Sequence, residues 1–171
     1  SKVIQTCWIL GLTLLLGCQQ ETPSKLSSVP QKDFISHQVI EWRLATSWPK
    51  NLPGLGMAPE RFAQLVEQMS NGRLVITVYG AGELMPALSV FDGVSNGTIE
   101  MAHSASYYWK GKAPAAQFFS SIPFGLNAQQ MNAWLHYGGG MELWEEVYQP
   151  FGVLSLAGGN TGMQMGGWRS R

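Results

Sequence analysis

Hydrophobic and polar positions change their period several times between residues 39 and 157, and this predicts short strands separated by helices. Residues 39–45 alternate between apolar and polar side chains, as expected for a strand. Two β-rich runs at 74–79 and 99–104 predict a second and a third strand, and residues 153–157 predict a fourth. Four short strands spread along the chain favour a sheet rather than a helical bundle.

The helical period recurs between these strands, in stretches near residues 59–70, 86–97, 127–137 and 141–148. In the first stretch Phe62, Leu65, Val66 and Met69 share one helical face. Asn127 can cap the third helix, which a run of three glycines should end. Strands that alternate with helices in this order predict an α/β fold with helices on both faces of the sheet.

Composition and charge narrow the class of protein. The 171 residues fit one ordinary domain, since single cores run to roughly 100–200 residues. Eleven basic and eleven acidic residues are interspersed, so no basic face is available for nucleic acid. A hydrophobic content of 45% against 13% charged residues is typical of a chain that folds.

The amino-terminal segment resembles a targeting signal. An apolar run over residues 3–16 follows Lys2, and it is too short for a membrane span of ~20 residues. It leads into Leu15-Leu16-Gly17-Cys18, which resembles a bacterial lipoprotein signal with Cys18 as the acylated residue. The alternative is that Cys7 and Cys18 are buried or form a disulfide.

This interpretation divides the chain into a lipoprotein signal peptide (1–18), a flexible tether (19–38) and a folded lobe (39–171). The tether contains Ser, Pro, Gln and Thr with scattered charge and has no hydrophobic period. We therefore expect a periplasmic protein that a lipid anchor holds to a membrane.

Catalytic patterns are absent from the linear sequence. The three histidines, His37, His103 and His136, are far apart and form no zinc motif. The sequence has no Gly-x-Ser-x-Gly elbow and no phosphate-binding glycine loop. A site assembled in space stays open, but a binding protein is favoured over an enzyme, and we expect His103 to be a structural residue.

Several short segments between residues 41 and 168 are not explained by packing alone. They are WRLATSWPK at 42–50, GAGEL at 80–84, FDGV at 91–94, EMAH at 100–103, YYWKGK at 107–112, PFG at 123–125, GGG at 138–140 and GNTGMQMGGW at 159–168. Together, and with nearly continuous spacing, they resemble the solute-binding subunits of tripartite ATP-independent periplasmic (TRAP) transporters, in the branch associated with 2-oxoacids and similar monocarboxylates.

The resemblance implies a type II-like periplasmic binding fold with two lobes, whose cleft closes on a carboxylate before the protein docks on a permease. Members are usually much longer, so the chain is expected to contain mainly the first lobe, without the arginine that grips the ligand in this family. The implied function is capture of a 2-oxoacid or related monocarboxylate for a sodium-coupled permease. It implies no cofactor besides Na⁺ bound with the ligand, and it allows a homodimer.

Four residues are the candidate ligand contacts. The resemblance implies that Gln164 touches the ligand and a sodium ion; a solvated loop amide is the alternative. Tyr107 and Tyr108 follow a predicted strand end, where α/β sheets bind ligands, although consecutive residues of an extended chain point in opposite directions. Asn160 is a ligand contact or the residue that shapes a turn.

Two other functions compete with this interpretation. The same scaffold could carry a periplasmic enzyme that acts on small carboxylates, because a fold does not fix a function. The chain could also be a truncated remnant without function. Of the tryptophans, only Trp48 and Trp109 fall near the predicted cleft loops.

Overall fold

The structure is a computed structural model that describes residues 38–120 and 122–162. Its centre is a parallel three-stranded sheet in the order β2-β1-β3. The strands are β1 (Ile40–Thr46), β2 (Leu74–Tyr79) and β3 (Met101–His103). All three strands run in one direction, so their carboxyl ends lie at the same edge of the sheet. The α/β prediction is confirmed.

Helices and 3₁₀ turns connect the strands. The helices are α1 (Met57–Met69), α2 (Val90–Ser95), α3 (Ala128–Tyr137) and α4 (Gly140–Tyr148). The 3₁₀ turns cover Ser106–Trp109, Pro114–Phe119 and Gln149–Phe151. Within the described ranges no helix combines the length and the apolar character needed to cross a membrane.

Helix α3 begins and ends where the sequence predicts. The side chain of Asn127 accepts a hydrogen bond from the Gln130 backbone N–H at 2.9 Å, and the Gln130 side chain accepts from the Asn127 N–H at 3.0 Å. This reciprocal capping box satisfies two N–H groups that the first turn leaves unpaired. Gly138 follows the last helical residue, so local signals set both ends.

The covered face of α1 is narrower than its apolar face. Ala63 is buried, and Val66 packs with it against residues of β1 and β2. Phe62, Leu65 and Met69 share the apolar stripe predicted from sequence, yet all three are exposed. Because the Ala63 side chain is small, the helix packs closely against the sheet at this residue. The larger apolar side chains then lie on the part of the helix that the sheet does not cover.

A second cluster lies around Phe91 of α2. The Phe91 ring stacks on Trp109 with centroids 5.1 Å apart. It also meets the edges of Tyr148 and Phe151, each at a centroid distance of 5.2 Å. These contacts join α2 and α4 to the 3₁₀ turn that carries Tyr107 and Tyr108. Trp109 is therefore a core residue, although the sequence placed it near a cleft loop.

Two predicted elements differ from the structure. The fourth strand, at 153–157, is wrong: the segment forms no ladder with any described strand. Ser155 is buried while Leu154 and Leu156 are 68% and 67% exposed, so the alternation is real, but alternation alone does not provide a neighbouring strand. The helix expected over 86–97 begins only at Val90, because Pro86 starts a turn in which the Ser89 N–H donates to the Pro86 carbonyl.

Candidate functional site

The carboxyl ends of β1 and β3 are joined by the residues that follow them. The Oγ atoms of Ser47 and Ser104 lie 2.6 Å apart, within hydrogen-bonding distance. Ser47 also donates through its backbone N–H to the carbonyl of His103 at 3.1 Å. Its Oγ lies 2.7 Å from the Ala87 carbonyl oxygen, to which it can donate. These contacts fix the sheet edge at which parallel α/β folds bind their ligands.

Trp48 lies on this edge and is held by backbone and side-chain bonds. Its carbonyl oxygen accepts from the Thr46 hydroxyl at 2.6 Å and from the Ala81 N–H at 2.9 Å. Its indole N–H donates to Nδ1 of His103 at 2.8 Å, with the two rings nearly perpendicular. Trp48 is buried and His103 is half-buried, so the bond between them is partly shielded from water.

His103 is a neutral, structural histidine in this arrangement. Burial lowers the pKa of its imidazole, because desolvation disfavours the charged ring. Since Nδ1 accepts the Trp48 N–H, the proton of the neutral ring belongs on Nε2. The imidazole accepts its hydrogen bond from an indole, which agrees with the structural role expected for this residue.

Tyr107 and Tyr108 lie side by side beyond the end of β3. They belong to a 3₁₀ turn rather than an extended strand, so the alternative in which the two side chains point in opposite directions does not apply. The residues are 36% and 38% exposed, and their ring centroids are 4.5 Å apart. A side-chain hydrogen bond with Tyr108, helped by desolvation, raises the pKa of Tyr107 to about 12. The Tyr107 phenol therefore stays protonated at neutral pH. The hydroxyls of both residues are hydrogen-bonding groups.

The two tyrosines line a surface groove of about 420 Å³ together with Lys110 and Gln117. Lys110 contributes an ammonium, Gln117 an amide, and the tyrosines contribute hydroxyls over apolar rings. An ammonium surrounded by neutral donors suits a small anion. Sequence reasoning did not predict that Lys110 and Gln117 line this groove. Lys110 directly follows the aromatic triplet 107–109, whereas no sequence pattern marks Gln117 as a groove residue.

A second polar contact lies at the carboxyl end of β2. The carboxylate of Glu83 accepts the Gly80 N–H at 2.9 Å and lies 3.1 Å from Nζ of Lys50. These two partners, the Gly80 N–H first, lower the pKa of Glu83 below its usual value. Because Lys50 follows β1 and Glu83 follows β2, the pair ties together two loops at the sheet edge.

The remaining candidates divide between the described and the undescribed residues. Asn160 accepts the Gly162 N–H through Oδ1 at 2.7 Å, so its side chain shapes a turn. Gln164 and Cys18 lie outside the described residues. Between residues 38 and 162, leaving out 121, no three His, Cys, Asp or Glu side chains come together in a way that could hold a metal ion.

The fold and this edge define a class of protein. A parallel α/β sheet whose carboxyl edge carries directed hydrogen-bond donors, phenols and an ammonium is built to hold a small polar molecule.

Comparison with known proteins places the chain within one family of that class. Residues 44–171 match the family described as bacterial extracellular solute-binding protein, family 7, and the chain belongs to it. The chain is 46% identical over 169 residues to a monocarboxylate 2-oxoacid-binding periplasmic protein of Nostoc sp. (strain PCC 7120). That match covers 98% of this chain and 44% of the relative.

Two solved structures agree with the family assignment. One is a TRAP periplasmic solute-binding protein of Pseudoalteromonas atlantica T6c with bound sodium and pyruvate, 50% identical with a TM-score of 0.74. The other, from Colwellia psychrerythraea with bound calcium and pyruvate, is 48% identical with a TM-score of 0.74. Each match covers 77% of this chain and 40% of the solved chain. The chain thus spans less than half the length of these relatives, and the expected periplasmic-binding fold is confirmed for the part that it covers.

Proposed function

We propose that this chain supplies one lobe of an extracytoplasmic protein that captures a 2-oxoacid, or a related monocarboxylate, for a TRAP transporter. The observation that carries the proposal is the groove of Tyr107, Tyr108, Lys110 and Gln117 beside the carboxyl edge of the sheet. Its donors match the chemistry of a small carboxylate. The relatives with 50% and 48% identity were solved with bound pyruvate, which supports the same ligand class.

The proposed mechanism is binding without covalent chemistry. The Lys110 ammonium attracts the carboxylate, and the phenols replace water as hydrogen-bond donors. Closure of a second lobe over the ligand then completes the site, and TRAP permease subunits accept the cargo. A homodimer of such subunits remains part of the proposal.

We propose that sodium binds together with the carboxylate, and that Gln164 is the residue of this chain that coordinates it. A neutral amide oxygen suits a hard cation, and the amide NH₂ suits a carboxylate. A bound cation would supply positive charge that offsets the charge of the buried anion. The sodium bound with pyruvate in the Pseudoalteromonas protein supports this part of the proposal.

The ligand proposal is tested with calorimetric titrations of pyruvate, with and without sodium. Two proteins are compared: the 171-residue chain, and a chimaera in which residues 44–171 replace the matching segment of the Nostoc protein. A hydrogen bond to a charged group contributes roughly 1.5–3 kcal/mol, so Gln164→Ala in the chimaera should weaken pyruvate binding about 10- to 150-fold. The sodium dependence should weaken in the same variant.

Gln68→Ala on the exposed surface of α1 is the matched control, and it should bind pyruvate like the parent chimaera. A folded chimaera that binds no 2-oxoacid would refute the proposed ligand class. Turnover of pyruvate would instead favour the enzyme alternative, and a chimaera that does not fold would favour the remnant.

Lipid anchoring at Cys18 is a separate part of the proposal. It is supported by the Leu15-Leu16-Gly17-Cys18 sequence. In a bacterium grown with radiolabelled palmitate, Cys18→Ser should lose the label, and the matched variant Cys7→Ser should keep it. Equal labelling of both variants would contradict the anchor.

A further inference from the structure

Gly158 lies against the imidazole of His103. A Cβ atom at this position would lie 3.2 Å from Nε2 and 3.3 Å from Cδ2 of His103, closer than ordinary van der Waals contact. The φ angle of Gly158 is outside the left-handed region, so the backbone conformation does not require glycine. The close approach of the segment to the imidazole is what favours a residue without a Cβ here, because a Cβ would displace the ring or the segment by a few tenths of an ångström.

The imidazole is itself fixed to the sheet edge. The Trp48 indole N–H holds Nδ1, while the Trp48 carbonyl accepts from Thr46 and Ala81. The contacts therefore run from the end of β1, through Trp48 and His103, to Gly158. They join residues far apart in sequence, since Trp48 and His103 are separated by 55 positions.

We propose that Trp48 and His103 are positioning residues that set the place of segment 158–162 at the sheet edge. The segment contains the turn that Asn160 closes onto Gly162, and it leads toward Gln164. The inference rests on the proposed function, because a displaced segment changes binding only if the segment belongs to the ligand site. Trp48 acts through His103 and does not itself touch the ligand.

The indole bond also selects the tautomer of His103. With Nδ1 as acceptor, Nε2 carries the proton and faces the side from which Gly158 approaches. The indole bond should hold His103 in this one tautomer, whereas a histidine without a partner at Nδ1 exchanges between the two tautomers.

The first arm of the test uses the 171-residue chain and needs no ligand. Nitrogen-15 spectra of labelled histidine should show His103 protonated on Nε2, and Trp48→Phe should release that preference. Gly158→Ala should shift the amide resonances of Asn160 and Gly162. Gly111→Ala is the matched control, since a Cβ there meets nothing within 4 Å, and it should leave both resonances in place.

Coupling between the two ends is tested with double variants. If the contacts act in series, the shifts caused by Trp48→Phe and Gly158→Ala should be non-additive. His103→Asn, which keeps an acceptor near the Nδ1 position and removes Nε2, should displace the same two resonances while the fold is retained. Additive shifts, an Nδ1-protonated His103 in the parent chain, or unmoved resonances in Gly158→Ala and His103→Asn would each overturn the proposal.

The second arm measures pyruvate affinity in the chimaera described above. Gly158→Ala should lower the affinity about tenfold, the size expected when one hydrogen bond to a charged ligand is misaligned, and Gly111→Ala should not. If the parent chimaera binds no pyruvate, the proposed function fails, while the resonances of Asn160 and Gly162 still decide the positioning role. Unchanged affinity in Gly158→Ala beside displaced resonances would overturn the link to the ligand site.

Discussion

Replacing Phe91 by alanine tests whether one aromatic cluster holds α4 and the tyrosine-bearing 3₁₀ turn to the body of the fold. The Phe91 side chain is 4% exposed, and its ring contacts Trp109, Tyr148 and Phe151 at centroid distances of 5.1–5.2 Å. The replacement removes all three ring contacts and leaves a cavity between α2 and α4.

The expected cost follows from those contacts. Burial and cavity terms for a core Phe→Ala change come to about 3–5 kcal/mol, and aromatic pairs of this geometry favour the upper part of that range. A domain of ordinary stability has only about 5–15 kcal/mol in total. Phe91→Ala should therefore remove a large fraction of the free energy of unfolding, while Phe91→Leu, which keeps most of the apolar bulk, should cost about 2 kcal/mol.

Urea unfolding followed by tryptophan fluorescence and near-ultraviolet circular dichroism measures this difference. With a slope of roughly 2 kcal/mol per molar urea, the midpoint of Phe91→Ala should fall by ~2 M. Phe124 is fully exposed, so Phe124→Ala should change the free energy of unfolding by no more than about 0.5 kcal/mol. Equal midpoints for the two alanine variants would refute the reasoning that the Phe91 cluster stabilises the fold.

Three further predictions follow from local contacts. Asn127→Ala removes the cap of α3 and should cost about 1 kcal/mol in urea unfolding, whereas Asn127→Ser should cost only a few tenths of that. Hydrogen bonds from Arg43 lower the pKa of Glu100 from 4.5 to about 2. The pair should therefore stabilise the fold fully above pH 4.5 and lose its effect as the pH falls toward 2. A Glu100→Gln variant with the same acid-unfolding profile as the parent would contradict this. Gly93→Ala would place a Cβ 2.9 Å from the movable end of Met85 and 3.2 Å from Cγ1 of the buried Ile99 side chain. It should cost about 1–3 kcal/mol in thermal unfolding, and Met85→Ala should relieve only the first of the two contacts; full relief by Met85→Ala would contradict this.

Local signals in the sequence were sufficient for some elements and not for others. The ends of α3 were predictable because Asn127 and Gly138 act on their own turns. The covered face of α1 was not predictable, because it is set by the packing of Ala63 against the sheet. A helical period shows which positions are apolar, but it does not show which of them the sheet will cover. The strand predicted at 153–157 is wrong for a related reason. A strand needs a neighbouring strand to pair with, and the alternation of apolar and polar residues describes only the segment itself.

The candidate site shows the same division. Tyr107 and Tyr108 could be selected because they follow a strand end, but their side-by-side arrangement depends on a 3₁₀ turn that the sequence did not reveal. The bond between Trp48 and His103 joins positions 55 residues apart, and Gln117 reaches the groove from another turn. Contacts of that separation are set by sheet topology, which a single sequence does not encode in any local pattern.

The placement of β1 at the centre of the sheet has a consequence for the order of folding. Strand β1 can pair fully only after both β2 and β3, which follow it in the sequence, have been brought to it. Its contact with the β3 region, for example between Arg43 and Glu100, closes a loop of 57 residues. Loop-closure entropy opposes such long-range pairing, so the nearer partner β2, with α1 between them, should form the nucleus of the transition state. The short strand β3 should then dock late, and substitutions in it should change the unfolding rate more than the folding rate. The edge that carries Trp48, His103 and the tyrosines would accordingly be assembled in the last step of folding.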